Sequence, residues 1–76
     1  MIRELDVVAL ARDLPRHGLK AGDVGTVVLV HPGSGYEVEF VTLKGESLAV
    51  ISLSRRQVRS IKRGEIASAR RVGSVA

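Results

Sequence analysis

The sequence contains no cysteine and very few aromatic residues. The absence of cysteine from all 76 positions excludes disulfide bonds, thiolate catalysis and cysteine-based zinc sites. The aromatic residues are Tyr36 and Phe40 alone. No apolar run approaches the length of a membrane span or a signal-peptide core, and runs such as 27–30 and 48–51 have only four residues. We therefore predict a soluble protein of the cytoplasm. It should form a single domain, since a second core would need more chain than this.

Charge is distributed unevenly along the chain, which has a formal net charge of +4. Residues 1–53 hold five basic and seven acidic side chains, whereas residues 54–76 hold seven basic side chains against Glu65 alone. Such a segment is typical of an arm that contacts an anionic partner, either nucleic acid or an acidic protein surface. The alternative is a solvated tail held loosely against the acidic body. Ile66, Val72 and Val75 argue against a purely solvating role, which would not need apolar side chains.

Short β-rich segments separated by turn residues predict five strands, over 6–10, 26–31, 36–40, 48–53 and 58–61. The third segment alternates, so Tyr36, Val38 and Phe40 are expected to face the core and Glu37 and Glu39 the solvent. A long loop over 11–25 joins the first two strands, and 20–23 has the composition of a tight turn. Residues 54–58 suit one helical turn capped by Ser54.

Five short strands in a chain of this size favour a closed barrel over a sandwich, because closure removes exposed edges. We predict an all-β fold, a small five-stranded SH3-like barrel at 1–61 with a long first loop and one 3₁₀ turn before the last strand. Residues 62–76 form a basic C-terminal tail. Within the tail, 65–72 could form a two-turn helix, but only if other contacts hold it, since an isolated helix of that length does not persist.

Two motifs carry a resemblance to a known family: Gly18-Leu19-Lys20-Ala21-Gly22-Asp23-Val24-Gly25-Thr26-Val27-Val28 and Tyr36-Glu37-Val38-Glu39-Phe40. From Asp6 through Ile61 the chain resembles an uncharacterised bacterial family of stand-alone proteins with a predicted SH3-like barrel. More distantly, it is similar to the barrel of the nitrile hydratase β subunit and to the KOW motif of ribosomal and transcription-elongation proteins. Those relatives imply a docking subunit rather than a catalytic one. The tail lies outside the resemblance.

No arrangement of residues indicates catalysis, a metal site or a cofactor. Glu37 and Glu39 could be imagined as an acid–base pair, but on an alternating strand they are more simply its solvated side. The two histidines, His17 and His31, match no metal-binding spacing, and no serine has a nucleophile-elbow context. The glycine-rich element 22–25 lacks the lysine of a phosphate loop and precedes a strand rather than a helix. We therefore expect no enzyme, no cofactor and no small-molecule substrate.

The second and fourth strands carry apolar residues at successive positions, so both of their faces are apolar. One face fills the core, and the other must be covered by the long loop, by the tail or by another chain, because exposed aliphatic patches are seldom left bare. The strand register decides which of the two faces is inward. The residues expected to contact the partner are Val27, Leu29, Ala49, Ile51 and Leu53.

These observations predict a non-enzymatic protein-interaction module or small accessory subunit, whose partner is another protein or a second copy. The alternative is a phosphate-contacting nucleic-acid module; exposed rings for base stacking are lacking, so its contacts would be poorly sequence-selective. A third reading is an antitoxin-like partner of a neighbouring gene product. Seven basic residues form a basic rim in the first hypothesis and contact nucleic acid in the alternative. They are Arg55, Arg56, Arg59, Lys62, Arg63, Arg70 and Arg71.

Overall fold

Residues 1–73 are described by a computed structural model, and they form one antiparallel sheet. The order across the sheet is β4-β3-β2-β1-β5, so β4 and β5 are its edges. Each strand overlaps its predicted segment and differs from it by at most two residues at either end, so the predicted all-β fold with five strands is confirmed. The strands are β1 (Val7–Leu10), β2 (Val24–His31), β3 (Gly35–Val41), β4 (Ser47–Leu53) and β5 (Val58–Ser60).

A single apolar core holds the sheet together. All five strands contribute to it, and Leu19 from the long loop joins them. The predicted inward positions of β3 are confirmed, since Val38 and Phe40 are buried and Tyr36 packs against them partly buried. The core consists of Val8, Leu10, Leu19, Val27, Val38, Phe40, Ile51, Leu53 and Val58.

The long loop between β1 and β2 folds back on itself, which explains its length. Its main chain closes between Leu14 and Leu19, whose N–H groups donate to each other's carbonyls at 2.8 and 3.2 Å. The segment between them is a short 3₁₀ helix, Pro15–His17, with proline at its start, where no N–H is needed, and Gly18 at φ 66° after it. This closure places Leu19 in the core.

The glycine-rich element after the loop has a structural explanation. Gly22 has a φ of 91°, and the Asp23 carboxylate accepts a hydrogen bond from the Lys20 N–H at 2.7 Å, which closes the predicted tight turn. Gly25 is buried in β2, where a Cβ atom would lie 2.7 Å from Cγ1 of Val38 and 2.9 Å from the Glu39 carbonyl oxygen. The close packing of β2 on β3 therefore requires glycine at this position.

The predicted turn before the last strand is present. The Gln57 N–H donates to the Ser54 carbonyl at 3.0 Å, and the Ser54 N–H donates to Oε1 of Gln57 at 2.8 Å. The side chain of Gln57 thus makes half of the reciprocal pair seen in capping boxes. This turn is not the predicted 3₁₀ helix; among the described residues, the 3₁₀ helix is Pro15–His17 in the long loop.

The pairing of β2 with β3 contains an irregularity that changes which residues face the core. Val27 pairs with Val38, but Leu29, two residues later, pairs with Glu37, so Val28 is an extra residue in a β-bulge. A second irregularity lies at Leu48, because Phe40 pairs with Ala49 and Val41 with Ser47. Side chains on opposite sides of a bulge no longer follow simple alternation.

The tail forms neither helix nor strand over 62–73, so the two-turn helix considered for 65–72 is not formed. Side chains of the tail contact the sheet and its loops instead of each other, as described below, and a helix this short gains too little from its own hydrogen bonds to form alone. Residues 74–76, including Val75, lie outside the described residues. Within residues 1–73, no helix is both long and apolar enough to cross a membrane.

Candidate interaction surface

The expected contact set does not form one outward surface. Val27 is fully buried, Ile51 and Leu53 are core residues, and Ala49 packs against the core partly buried. The assignment of these residues to the outward face was therefore wrong, because Ala49, Ile51 and Leu53 pair with the inward residues of β3. Only Leu29 is exposed, at 45%, because the bulge at Val28 reverses the alternation between Val27 and Leu29.

Apart from Leu29, the outward apolar residues of these strands are not the expected ones. Val50, in the centre of β4, is 56% exposed, and Val28 and Leu29 on β2 are 40% and 45% exposed. On β3, which lies between these strands, the outward positions hold Glu37 and Glu39, the partners of Ser52 and Val50. The sheet thus leaves aliphatic side chains uncovered on either side of an acidic row.

Strand β4 is an unprotected sheet edge. It pairs only with β3 among the described strands, so one side of its main chain has no ladder partner. Its seven residues contain neither a charge nor a proline. Natural edge strands are usually blunted by charged side chains, proline or shortness. The opposite edge, β5, follows that rule, since it has only three residues and carries Arg59 at its centre.

A polar cluster lies beside this edge, on the outward face. Oε2 of Glu37 accepts hydrogen bonds from Oγ of Ser52 at 2.6 Å and contacts Nε2 of His31 at 2.7 Å. These two contacts, the Ser52 bond first, lower the pKa of the Glu37 carboxyl below its usual value. The serine hydroxyl donates to the carboxylate rather than to the histidine, which differs from the serine–histidine contact of a catalytic triad. The residues of the cluster cross-link β2, β3 and β4.

The tail is fastened to the sheet at Glu65. Its carboxylate accepts two hydrogen bonds from the Arg59 guanidinium, at 2.8 and 2.7 Å, and a third from the Lys62 N–H at 2.6 Å. The Arg59 bonds and then the Lys62 bond lower the pKa of Glu65 to about 2. The single acidic residue of the basic segment therefore holds the first turn of the tail against β5.

A second fastening joins the tail to the turn before β2. Nε of Arg70 donates to Oδ1 of Asp23 at 2.9 Å, Nη2 of Arg70 contacts the other carboxylate oxygen, and Nη2 also donates to the Gly18 carbonyl at 3.1 Å. The Arg70 hydrogen bonds lower the pKa of Asp23 and raise that of Arg70. Val72 lies next to Gly18 and is half-buried. The tail consequently folds back onto its own sheet.

An open groove of about 790 Å³ separates the tail from the sheet. The tail residues 66–72 form one wall, and the loop 19–24 with the β3–β4 hairpin forms the other. Leu19, Phe40 and Leu48 contribute apolar surface, while Lys20 and Arg71 contribute positive charge. The side chain of Ile66 lines this groove but is 90% exposed, so it does not fill the groove.

The seven basic residues of the expected rim are in two different situations. Arg59 and Arg70 form ion pairs within the chain. The remaining five make no salt bridge with a described residue and are exposed, namely Arg55, Arg56, Lys62, Arg63 and Arg71. Neither aromatic ring offers a stacking platform, since Phe40 is buried and Tyr36 is packed on the core.

No group of three or more His, Cys, Asp or Glu side chains in the described chain is arranged to hold a metal ion. Of the two histidines, His31 contacts Glu37 alone among the acidic side chains, and His17 lies exposed at the end of the 3₁₀ helix. The structure also brings together the side chains of His31, Glu37 and Ser52. The alternation along β3 predicted that Glu37 faces solvent but did not predict these contacts. Their contact depends on strand register, and alternation by itself does not give the register.

The fold and this surface define a small all-β domain with a charge-free open edge. The chain belongs to the family described as a domain of unknown function (DUF4926), whose sequence model matches residues 4–60. The predicted membership of an uncharacterised small-domain family is thereby confirmed. No curated protein and no solved structure matches the chain. The matched region includes all five strands and ends before the fastened tail.

Proposed function

We propose that this protein is a non-enzymatic protein-interaction module that binds another polypeptide along the β4 edge. The observation that carries the proposal is the combination of a seven-residue edge without charge or proline and an exposed Val50 at its centre. An added strand satisfies the unpaired main-chain groups of such an edge, and pockets for alternate side chains supply specificity. The cross-links of Glu37 to Ser52 and of Glu39 to Ser47, at 2.6 and 3.1 Å, keep the edge rigid before binding.

The proposal includes an SH3-like barrel as the architecture, with the sheet left open between β4 and β5, which are not paired with each other. It is supported by the strand order, by the long loop between β1 and β2, and by the tight turn between β4 and β5, which brings both edge strands to one core. The bacterial cytoplasm as location is a further part of the proposal and rests on the sequence resemblance.

Site-specific photo-crosslinking in cells that produce the chain natively tests the interaction. A photoreactive amino acid replaces Val50 in one variant and Val7 in a control variant. Val7 is 52% exposed, similar to Val50, but lies on β1, which is paired on both sides over 8–9. We expect a discrete polypeptide adduct from position 50 and none from position 7. No adduct from position 50, or the same adducts from both positions, would overturn the proposal.

The nucleic-acid alternative has weaker support. Two of its seven basic residues are already neutralised, Arg59 by Glu65 and Arg70 by Asp23, and no ring is exposed for stacking. What favours it is the five remaining exposed basic residues, which could contact phosphate without sequence selectivity. An antitoxin-like role is one form of the polypeptide interaction, and the mass of the adduct from position 50 would identify its partner.

A further inference from the structure

We propose that the polypeptide bound along β4 is a second copy of this chain, paired antiparallel about a two-fold axis that passes close to Val50. This inference rests on the proposed function, because it assumes that the β4 edge is the contact surface. Three features of the strand and its flanks support a second copy in particular: the pattern of side chains, the charges beyond the strand ends, and the difference between the two sheet edges.

The sequence of β4 is complementary to itself when reversed. With Val50 opposite Val50 of the other copy, Ala49 lies opposite Ile51, so a small inward residue meets a large one at each of two symmetric positions. Beyond Ala49, the irregularity at Leu48 interrupts this simple register, so the complementarity of side-chain size is confined to 49–51. The exposed Val50 side chains meet on the outward face, where each covers the other. Directly opposed aliphatic pairs of this kind are the unit of sheet stabilisation.

The residues beyond the strand ends carry complementary charges. Glu46 directly precedes β4 and Arg55 lies two residues after it, so antiparallel pairing of two copies brings Glu46 of one to the same end of the interface as Arg55 of the other. Both Glu46 and Arg55 are exposed, and neither forms a salt bridge with a described residue. Two-fold symmetry produces this contact twice. Lys44 and Arg56 lie at the same end of the interface, and the repulsion between their like charges offsets part of this attraction.

The acidic row on β3 does not oppose this pairing. The two copies of Glu39 would be separated by three strand spacings, about 14 Å. That distance exceeds the Debye length of about 8 Å at physiological ionic strength. In addition, Glu39 and Glu37 already accept hydrogen bonds from Ser47 and Ser52 of their own chain.

The two edges of the sheet differ, so the assembly closes as a dimer. Only β4 is long and free of charge, whereas β5 is short and its Arg59 is held by Glu65. An isologous contact uses the same surface on both copies and leaves no second surface for growth into a fibre. A seven-residue edge buries less area than a standard interface, so we expect a dimer that dissociates at micromolar concentrations.

Sedimentation equilibrium from about 5 to 500 µM tests this inference, since that range brackets the affinity expected of a small interface. The wild-type chain is expected to approach twice the monomer mass at the upper end. Val50→Lys should raise the dissociation constant at least about tenfold, because two lysines would face each other across the axis. Val7→Lys adds the same charge on β1, which is not an edge strand, and should leave the constant unchanged. Circular dichroism confirms that both variants are folded.

A charge swap distinguishes this pairing from other self-association. Glu46→Arg and Arg55→Glu should each raise the dissociation constant about fivefold, since each places like charges together at two symmetric contacts. The double variant should return close to the wild-type value. Failure of the double variant to recover would exclude the proposed register.

The outcomes separate the inference from the proposed function. A chain that remains monomeric throughout the concentration range refutes the second copy as partner. If position 50 nevertheless forms an adduct with a different protein in cells, the interaction module stands and only the identity of its partner changes. If neither dimer nor adduct is found, both proposals fail.

Discussion

The guanidinium of Arg70 lies against the carboxylate of Asp23, 47 residues earlier in the chain, with 2.9 Å between Nε and Oδ1. The same aspartate closes the tight turn through the Lys20 N–H, so one carboxylate serves both the sheet and the tail. Together with the Arg59–Glu65 pair, this contact determines the path of a segment that has no secondary structure of its own.

Removing Arg70 should release the tail without unfolding the sheet. In Arg70→Gln, the contacts to Asp23 and to the Gly18 carbonyl are lost, and residues 66–72 should show increased amide mobility in ¹⁵N relaxation measurements. The melting temperature should change little, because exposed ion pairs contribute little to global stability. Arg71→Gln is the matched control, since the Arg71 side chain forms no salt bridge with any residue of 1–73 and is exposed. Unchanged mobility of 66–72 in Arg70→Gln would mean that the tail is held by other contacts.

Acidification should release the first turn of the tail at unusually low pH. The pKa of Glu65 is lowered from 4.5 to about 2, so its ionised form stabilises the folded state. That contribution is complete above pH 4.5 and is lost as the pH falls toward 2. The Arg59 Nε–H resonance, followed by NMR between pH 6 and pH 2, should shift with a midpoint near the pKa of Glu65.

The variant Glu65→Gln provides the control for this titration. Its Arg59 resonance should lack the transition, because glutamine carries no ionisable group. A wild-type transition near pH 4.5 would contradict the strong pairing of Arg59 with Glu65 that the structure shows.

The strands could be predicted from the sequence, but their inward faces could not. Alternation was sufficient for β3, because polar and apolar residues take turns there. On β2 and β4 both alternating sets are apolar, so hydropathy does not distinguish core from surface. The bulge at Val28 adds to this difficulty, since two residues of the same parity, Val27 and Leu29, end on opposite faces. Register and bulges depend on the partner strand, which a single strand's pattern does not encode.

The tail illustrates a second limit of sequence reasoning. The excess of basic residues after position 53 is evident, and an attachment to the acidic body was one of the two readings. The pairing of Arg70 with Asp23 was not predictable, because the two residues are 47 positions apart and Arg70 lies outside the motifs that contain Asp23. Similarly, the hydrogen bond from Ser52 to Glu37 joins residues 15 positions apart and follows only from the β3–β4 register.

The bulge at Val28 can be tested by comparing two truncations on the same strand. Val27→Ala should lower the free energy of unfolding by about 2 kcal/mol, from lost burial and the cavity left behind. Leu29→Ala removes a larger side chain, but one that is 45% exposed, and should cost less than about 1 kcal/mol. Urea denaturation of both variants measures the difference. Equal losses would place both side chains on one face and contradict the bulge.

Gly25 should be intolerant of even a methyl group. A Cβ atom at this position would lie 2.7 Å from Cγ1 of Val38 and 2.9 Å from both the Glu39 carbonyl oxygen and Cε1 of Phe40. Because one of these neighbours is main chain and the others belong to the buried core, the contacts cannot be relieved by moving an exposed side chain. Gly25→Ala should therefore destabilise the fold by about 1–3 kcal/mol, as overpacking of a close-packed core generally does. Gly73→Ala is the control, because a Cβ atom added there has no other atom within 4 Å. Its free energy of unfolding should stay within about 0.5 kcal/mol of the wild-type value. Urea denaturation measures both variants. A Gly25→Ala variant as stable as Gly73→Ala would show that β2 and β3 are less closely packed around Gly25 than the structure indicates.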